Sequence, residues 1–289
     1  MDGTGGHAIR ATAQTFVPGT TASQLSASCP AFGGTWHSVD CDTVKLTVLG
    51  GCGAWPAAGQ ACSGYLIEHE GFQLLMDPGY ATLPRLLEIT PARDVSAVLV
   101  SHGHPDHCAD INPLLRARAL DDRVVPPLAL FALANSLDAV LALDEPSMLQ
   151  NAYAVHAFDP GDGFDVGPFH VESRLLPHFV PNAGFRLTAG TAALVYTGDS
   201  GPSSDLVDLA TGADLLLAEA TYWDQVPERH IGNLTSAAEA GAQAARAGVR
   251  RLLLTHLWPG TDPRLSADAA AASFHAWIDV ARPGTVVEM

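Results

Sequence analysis

The sequence predicts an α/β fold, on three observations. Short apolar runs rich in Leu and Val alternate with stretches of helical spacing, the pattern of strands feeding helices. Ligand-type residues follow those apolar runs directly, where open α/β sheets place their sites. The segment Asp159–Pro168, with three Gly, two Pro and three Asp, is a turn-rich connection that divides the chain into two halves near residues 160–168.

In order, residues 1–43 are rich in Thr, Ser, Ala and Gly without periodicity, and read as an N-terminal extension, loosely ordered or packed on a partner. His7 and His37 fall there and are taken as non-ligands. The remainder, 44–289, reads as one large domain. Val44–Leu49 alternates and forms a strand. The loop 50–56 (GGCGAWP) holds three Gly, which permit close approach of backbone to a ligand. Trp55 is either a pocket wall or ordinary packing. Segments 63–70 and 72–79 form a hairpin around Glu70-Gly71, and 83–87 a short helix. Strand 95–100 precedes a ligand-rich segment, and 109–120 is helical after Asn112. Residues 124–131 give a strand leading to a helix over 133–143. In the second half, strands are expected at 169–176, 185–188, 192–197 and 213–223. Ser236 with Glu239 forms a capping box for helix 237–247, stopped by Gly248. A strand ending at Thr255, a helix over 266–278 and a strand over 285–288 close the domain.

Composition narrows the function. The chain has 289 residues, 47% of them hydrophobic, enough for a substantial core. Net charge is −16, and Lys45 is the sole lysine. Nucleic acids are held chiefly through phosphate contacts to basic patches, so a large nucleic acid is not an expected substrate, whereas a small molecule is. No apolar run reaches the roughly 20 residues of a membrane span and no secretory signal is seen, so the expected location is cytoplasmic, with no membrane partner. Five Cys (29, 41, 52, 62, 108) without CxxC spacing argue against a disulfide framework or a Cys-based zinc site. Cys108 reads as a small buried residue or a neighbour of the ligands. A homodimer is a further expectation.

The chemistry sits in SHGHPDHCAD, residues 101–110, where His102, His104, Asp106 and His107 fall within six residues. On extended chain alternate side chains share a face, so His102 and His104 can converge on one ion. Asp106 and His107 lie beyond Pro105, where the chain turns toward a second. Imidazole and carboxylate suit zinc and similar metals. Four such residues at a strand end have no packing reason to be there.

The motif His102-Gly103-His104-Pro105-Asp106-His107 resembles that of the metallo-β-lactamase superfamily, over residues 44–289. The resemblance implies a four-layer αββα sandwich and three more ligands in order: His178 in LLPHF, Asp199 in YTGDS and His256 in LLLTHL. It implies His102, His104 and His178 around one zinc, Asp106, His107 and His256 around another (manganese or iron being alternatives), and Asp199 bridging, since a carboxylate has two oxygens to share. Asp77 resembles a structural Asp behind the metals, and Glu219 reads either as a support for a ligand His or as a partly exposed strand-end acid. The C-terminal block resembles the RNase Z/phosphodiesterase-like branch, whose His-Leu/Ser-Thr tripeptide is here Asn233-Leu234-Thr235. His230, three residues earlier, is the candidate to take over that histidine's place. The implied activity is metal-bound hydroxide attacking a small phosphodiester, such as a cyclic nucleotide. Asp106 would orient the water and His230 would act as general acid. An ester, thioester or lactone hydrolase of specialised metabolism is the alternative, and a non-catalytic binding protein is less favoured by the intact ligand set.

Overall fold

Lys45–Gly50 forms the first strand (β1), followed by the hairpin Gly64–His69 (β2) and Phe72–Met76 (β3), as the alternation predicts. The structure, a computed structural model, describes residues 43–145 and 147–289. The expectations for residues 1–42, including His7 and His37, lie outside the described residues. The first half continues through helix Thr82–Leu87 (α1), strand Ala97–Leu99 (β4), the single turn Pro105–Cys108 (α2), helix Ile111–Ala119 (α3), strand Leu128–Leu133 (β5), the turn Asp138–Leu141 (α4) and strand Tyr153–Phe158 (β6). The second half comprises strands Gly163–Val166 (β7), Phe169–Leu176 (β8), Asn182–Ala189 (β9) and Ala192–Tyr196 (β10), helix Ser204–Ala210 (α5), strand Leu215–Glu219 (β11), helix Ala237–Ala247 (α6), strand Arg251–Thr255 (β12), helix Pro263–Ala271 (α7), and strands Trp277–Val280 (β13) and Val286–Glu288 (β14).

Two seven-stranded mixed sheets result, ordered β14-β1-β2-β3-β4-β5-β6 and β13-β12-β11-β10-β9-β8-β7. Each begins as an antiparallel meander and becomes parallel, from β3 onward in the first and from β10 onward in the second. The strands β10 and β11 are buried on both faces and read as unbroken apolar runs. β8, covered on one face only, alternates.

Side chains from the two inner faces meet in a common core that includes Leu46, Tyr65, Ile67, Leu74, Met76 and Leu99 from one sheet and Phe169, Val171, Phe185, Leu194, Leu217 and Leu253 from the other. A second cluster packs α5, α6 and α7 on the outer face of the second sheet, and a third packs α1, α3 and α4 on the first. This is the four-layer αββα sandwich. No helix among the described residues is long and apolar enough to cross a membrane.

Three elements differ from expectation. The helix expected over 133–143 is only the turn of α4, because Ala132 and Leu133 continue the ladder with Ala157 and Phe158 of β6. The turn-rich 159–168 contains β7, since Gly163–Val166 pairs with β8. The helix expected over 266–278 starts at Pro263, capped by Asp262, and ends at Ala271. Residues 277–280 join β12 in parallel. In each case sheet partners distant in sequence override local spacing.

α6 forms as predicted, with Ser236 Oγ accepting from Glu239 N–H at 3.2 Å. Gly241 lets α6 lie against α7: a Cβ there would stand 2.4 Å from the Ala270 carbonyl oxygen. We expect Gly241→Val to push the helices apart and lower unfolding free energy by about 1–3 kcal/mol. An unchanged urea midpoint would show that the helices do not meet there.

Candidate metal centre

The turns after five strands converge at one end of the sandwich. β3 delivers Asp77, β4 delivers Ser101 to His104, β8 delivers His178, β10 delivers Asp199, and β12 delivers His256. Pro105 opens α2 at its first position and turns the chain, so that Asp106 and His107 face the same space as His102. Asp199 follows Gly198, whose φ is +57° and where a Cβ would stand 2.2 Å from Asn182 Oδ1. No other residue type fits there.

The seven candidate ligands come together in two groups sharing Asp199. His102, His104, His178 and Asp199 present atoms within 4.8 Å of one another, as do Asp106, His107, Asp199 and His256. Asp199 Oδ2 lies 3.9 Å from His102 Nε2, 3.8 Å from His178 Nε2 and 3.2 Å from His256 Nε2, while Oδ1 lies 3.1 Å from His107 Nε2. One carboxylate thus reaches both groups.

Most of the imidazoles are held from behind. His102 Nδ1 is 3.0 Å from Ser101 Oγ, which donates its own proton to Asp77. His107 Nδ1 donates to Asp77 Oδ2 at 2.7 Å. His178 Nδ1 donates to the Asn233 carbonyl at 3.0 Å. His256 Nδ1 is 2.9 Å from Thr221 Oγ1, whose proton goes to Glu219 Oε1 at 2.6 Å. These bonds fix tautomer and ring orientation, the usual supporting arrangement for metal-binding histidine. The backbone N–H of Ala54 donates to Asp106 Oδ2 at 2.8 Å.

The donor set fits divalent cations. In the first group burial holds His102, His104 and His178 below the ordinary imidazole range, so all three are neutral. His102 and His178 have spent their single N–H on Ser101 and Asn233, yet both Nε2 atoms sit 3.0 and 3.1 Å from His104 Nδ1. His104 can donate to only one of them. The remaining lone pairs face each other unless a cation lies between. In the second group burial opposes charge on Asp106 and Asp199, but the charges of His107 and His256 prevail and hold both carboxyls well below their usual range. Conversely, burial disfavours imidazolium at His107 and His256, and the Asp199 and Asp106 carboxylates, with the hydrogen bonds they accept, together more than offset it, raising both. Two buried carboxylates require balancing positive charge, which protons or a metal ion can supply. His107 Nε2 and Asp199 Oδ1 have no hydrogen-bond partner although both are buried.

Glu219 does not touch a histidine; it reaches His256 through Thr221 and also accepts from the backbone N–H groups of Ser200 and Thr235. It is fully buried rather than a partly exposed strand-end acid, and burial pushes its carboxyl up to about 8. Cys108 lies outside both groups: it donates to the His104 carbonyl at 3.3 Å, and burial pushes its thiol up to about 12. His230 also lies outside them, half-buried at the rim, where Tyr222 Oη is 2.6 Å from Nδ1 and Arg229 Nε donates to Nε2 at 3.3 Å. Sequence reasoning missed Tyr196, which donates to Asp77 at 2.8 Å. A tyrosine inside an apolar strand gives no signal of a polar duty. Ser101 and Thr221 gave no signal either, since their hydroxyls meet Asp77, Glu219 and His256 only in the folded chain.

Two facing sheets with histidine and aspartate at their shared end define a metal-dependent hydrolase. The chain belongs to the beta-lactamase superfamily: the model of the Beta-lactamase superfamily domain matches residues 72–257. It is 32% identical over 253 residues to the "Probable metallo-hydrolase YhfI" of Bacillus subtilis, covering 85% of this chain and 100% of the relative. The crystal structure of YhfI, a metallo-beta-lactamase fold protein, superposes with a TM-score of 0.79, covering 86% of this chain and 100% of that one. A ribonuclease Z from Kineococcus radiotolerans is 29% identical over 281 residues, 79% of this chain and 88% of the relative. Human tRNase Z, short form, shares the fold with a TM-score of 0.68 at 23% identity, covering 84% of this chain and 98% of that one.

Asp77→Asn replaces an accepting oxygen with an N–H donor. We expect it to weaken metal affinity about 10–100-fold, read by chelator competition; unchanged affinity would show that Asp77 does not orient His107. A second expectation concerns the metal-free protein. The Glu219 carboxyl is raised on folding, so the native state holds its proton more tightly than the unfolded chain, and stability falls as pH rises from its ordinary value of 4.5 through about 8. Glu219→Gln should remove that contribution. Wild-type stability should therefore decline relative to the variant between pH 5 and 8 in urea titrations; a constant difference would contradict the assignment.

Proposed function

We infer that this chain is a dinuclear metal-dependent hydrolase of small phosphodiesters. The observation that carries the reading is Asp199, one carboxylate set between two histidine groups. On this reading His102, His104 and His178 would hold one ion and Asp106, His107 and His256 the other, with Asp199 open to both; zinc is the expected metal, with manganese or iron compatible with the same donors. Bound there, such ions would supply an activated water near neutral pH and positive charge against that developing at phosphorus.

The chain's own groups do the rest. Asp106, fixed by the Ala54 N–H, orients the attacking water. His104 is the partly exposed member of the set, so substrate enters on its side. Arg229 donates to His230 Nε2, so the ring proton sits on Nδ1 and is shared with Tyr222 Oη, whose own hydrogen is free to reach a leaving oxygen. His230 thus holds the Tyr222 hydroxyl in place to hydrogen-bond the leaving oxygen, and its neutral ring is not itself the proton source. The relatives named ribonuclease Z support phosphodiester chemistry. The net charge of −16 supports a small substrate over a polynucleotide. An acyl hydrolase of esters, thioesters or lactones is the second reading, favoured by Asn233 standing where the phosphodiesterase-like branch carries histidine.

The test is a hydrolysis screen on metal-analysed protein, setting bis-p-nitrophenyl phosphate and cyclic nucleotides against p-nitrophenyl acetate, thioesters and lactones. Phosphodiester cleavage and metal content should fall together in Asp199→Ala. Cleavage of acyl substrates alone would transfer the assignment to the second reading. Full activity and full metal content in the variant would refute the bridging role.

A further inference from the structure

Six rings form a continuous arc around the centre. Trp55 meets Trp258 edge-on with centroids 4.9 Å apart, Trp258 stacks with Tyr222 at 6.0 Å, and Tyr222 lies 6.0 Å from the His230 ring. His230 then meets Phe179 at 5.6 Å, and Phe179 meets His178 at 5.2 Å. The arc runs from beside Asp106 to a ligand of the first group. Its members are seated by the centre itself. Trp55 follows Ala54, whose N–H holds Asp106. Trp258 is two residues beyond His256, and its N–H donates to the Thr221 carbonyl. Phe179 is adjacent to His178.

These rings are not a core. Trp55 is 46% exposed and Phe179 51%, so about half of each remains open toward solvent. Their spacing leaves no room for another ring between neighbours; a ligand must lie on the free faces. Arg229 is the cation held against the arc, by its bond to His230. Lys45 is paired with Glu68 on the β1–β2 ladder. A surface of π-faces with one cation, on a strongly acidic protein, suits an uncharged planar group and disfavours an arm carrying several negative charges.

We propose that the Trp55–Trp258–Tyr222–Phe179 arc is the specificity surface of the site and binds an uncharged aromatic or heteroaromatic ring of the substrate, whose single anionic or ester group is directed to the metal centre. The inference rests on the proposed hydrolase reading only for the placement of that reacting group. Trp55 and Phe179 are specificity residues; neither touches the reacting atoms.

The experiment uses metal-loaded protein and two phosphodiester mimics that resist hydrolysis because P–C bonds replace both ester linkages, methyl(phenyl)phosphinate and cyclohexyl(methyl)phosphinate. The two have the same charge and similar size and differ in planarity. Stacking of a ring on aromatic side chains is sequence-tolerant and favours a planar group, so the phenyl compound should bind about tenfold more tightly by calorimetry. In Trp55→Ala and Phe179→Ala, exposed positions with little to lose in folding, metal content should be unchanged and the preference should shrink by about threefold or more. Equal binding of the two mimics by the wild type, or a preference that survives in both variants, would overturn the proposal. Phenyl and cyclohexyl acetate, compared by KM, test the same preference on acyl chemistry. A site that turns over no phosphodiester yet keeps the planar preference would refute the phosphodiesterase reading and leave the arc's role intact.

Discussion

Four hydrogen bonds converge on the carboxylate of Asp77, and no part of the site is independent of them. Ser101 donates through its backbone at 2.7 Å and its hydroxyl at 2.5 Å, His107 donates at 2.7 Å and Tyr196 at 2.8 Å. Asp77 and Ser101 end adjacent strands of one sheet, Tyr196 ends a strand of the other, and His107 belongs to the turn between. One buried group therefore joins the two sheets, locks the backbone at the start of the ligand segment and sets the tautomer of His107. Through Ser101 it sets His102 as well. A buried carboxylate without such donors would cost several kcal/mol; here every accepting direction is used. Asp77 holds φ at +47°, a left-handed conformation that a non-glycine residue keeps only where its surroundings enforce it.

His256 has the same backbone peculiarity, with φ +56°. Thr221 and Glu219 support it from β11 as Asp77 and Ser101 support His107 and His102 from the first sheet. The two halves of the molecule thus treat the centre alike, each with a buried acid relayed partly through a hydroxyl. The concentration of buried charge works against folding of the isolated chain and in favour of metal binding, because cations supply the compensation that packing cannot.

The parts of this arrangement that were legible in the sequence are those encoded locally. The segment His102–His107 announces itself because four donors within one turn of chain have no packing role. His178, Asp199 and His256 are legible only through the family resemblance that this motif carries, which implies further ligands in that order; each then proves to follow an apolar run. Ser236 and Glu239 fix the start of α6 by capping chemistry that needs only four residues. Tyr196 was not legible, since its hydroxyl is committed to Asp77, 119 residues away, and strand patterning reads it as core. Nor was Asn233, which supports His178 with a backbone carbonyl that any residue would possess.

By itself, then, the sequence determined the two-halved α/β character, the presence of a metal-type donor set and the acidic surface, because periodicity, donor identity and charge are properties of short stretches. Only the tertiary structure decided which donors share Asp199, which ring nitrogen each histidine turns inward, and that Trp55, Trp258, Tyr222 and Phe179 close into one arc beside the centre. Those outcomes depend on facing sheets bringing the ends of β3, β4, β8, β10, β11 and β12 to one place, and distances between segments more than a hundred residues apart are set by core packing, which no local pattern contains.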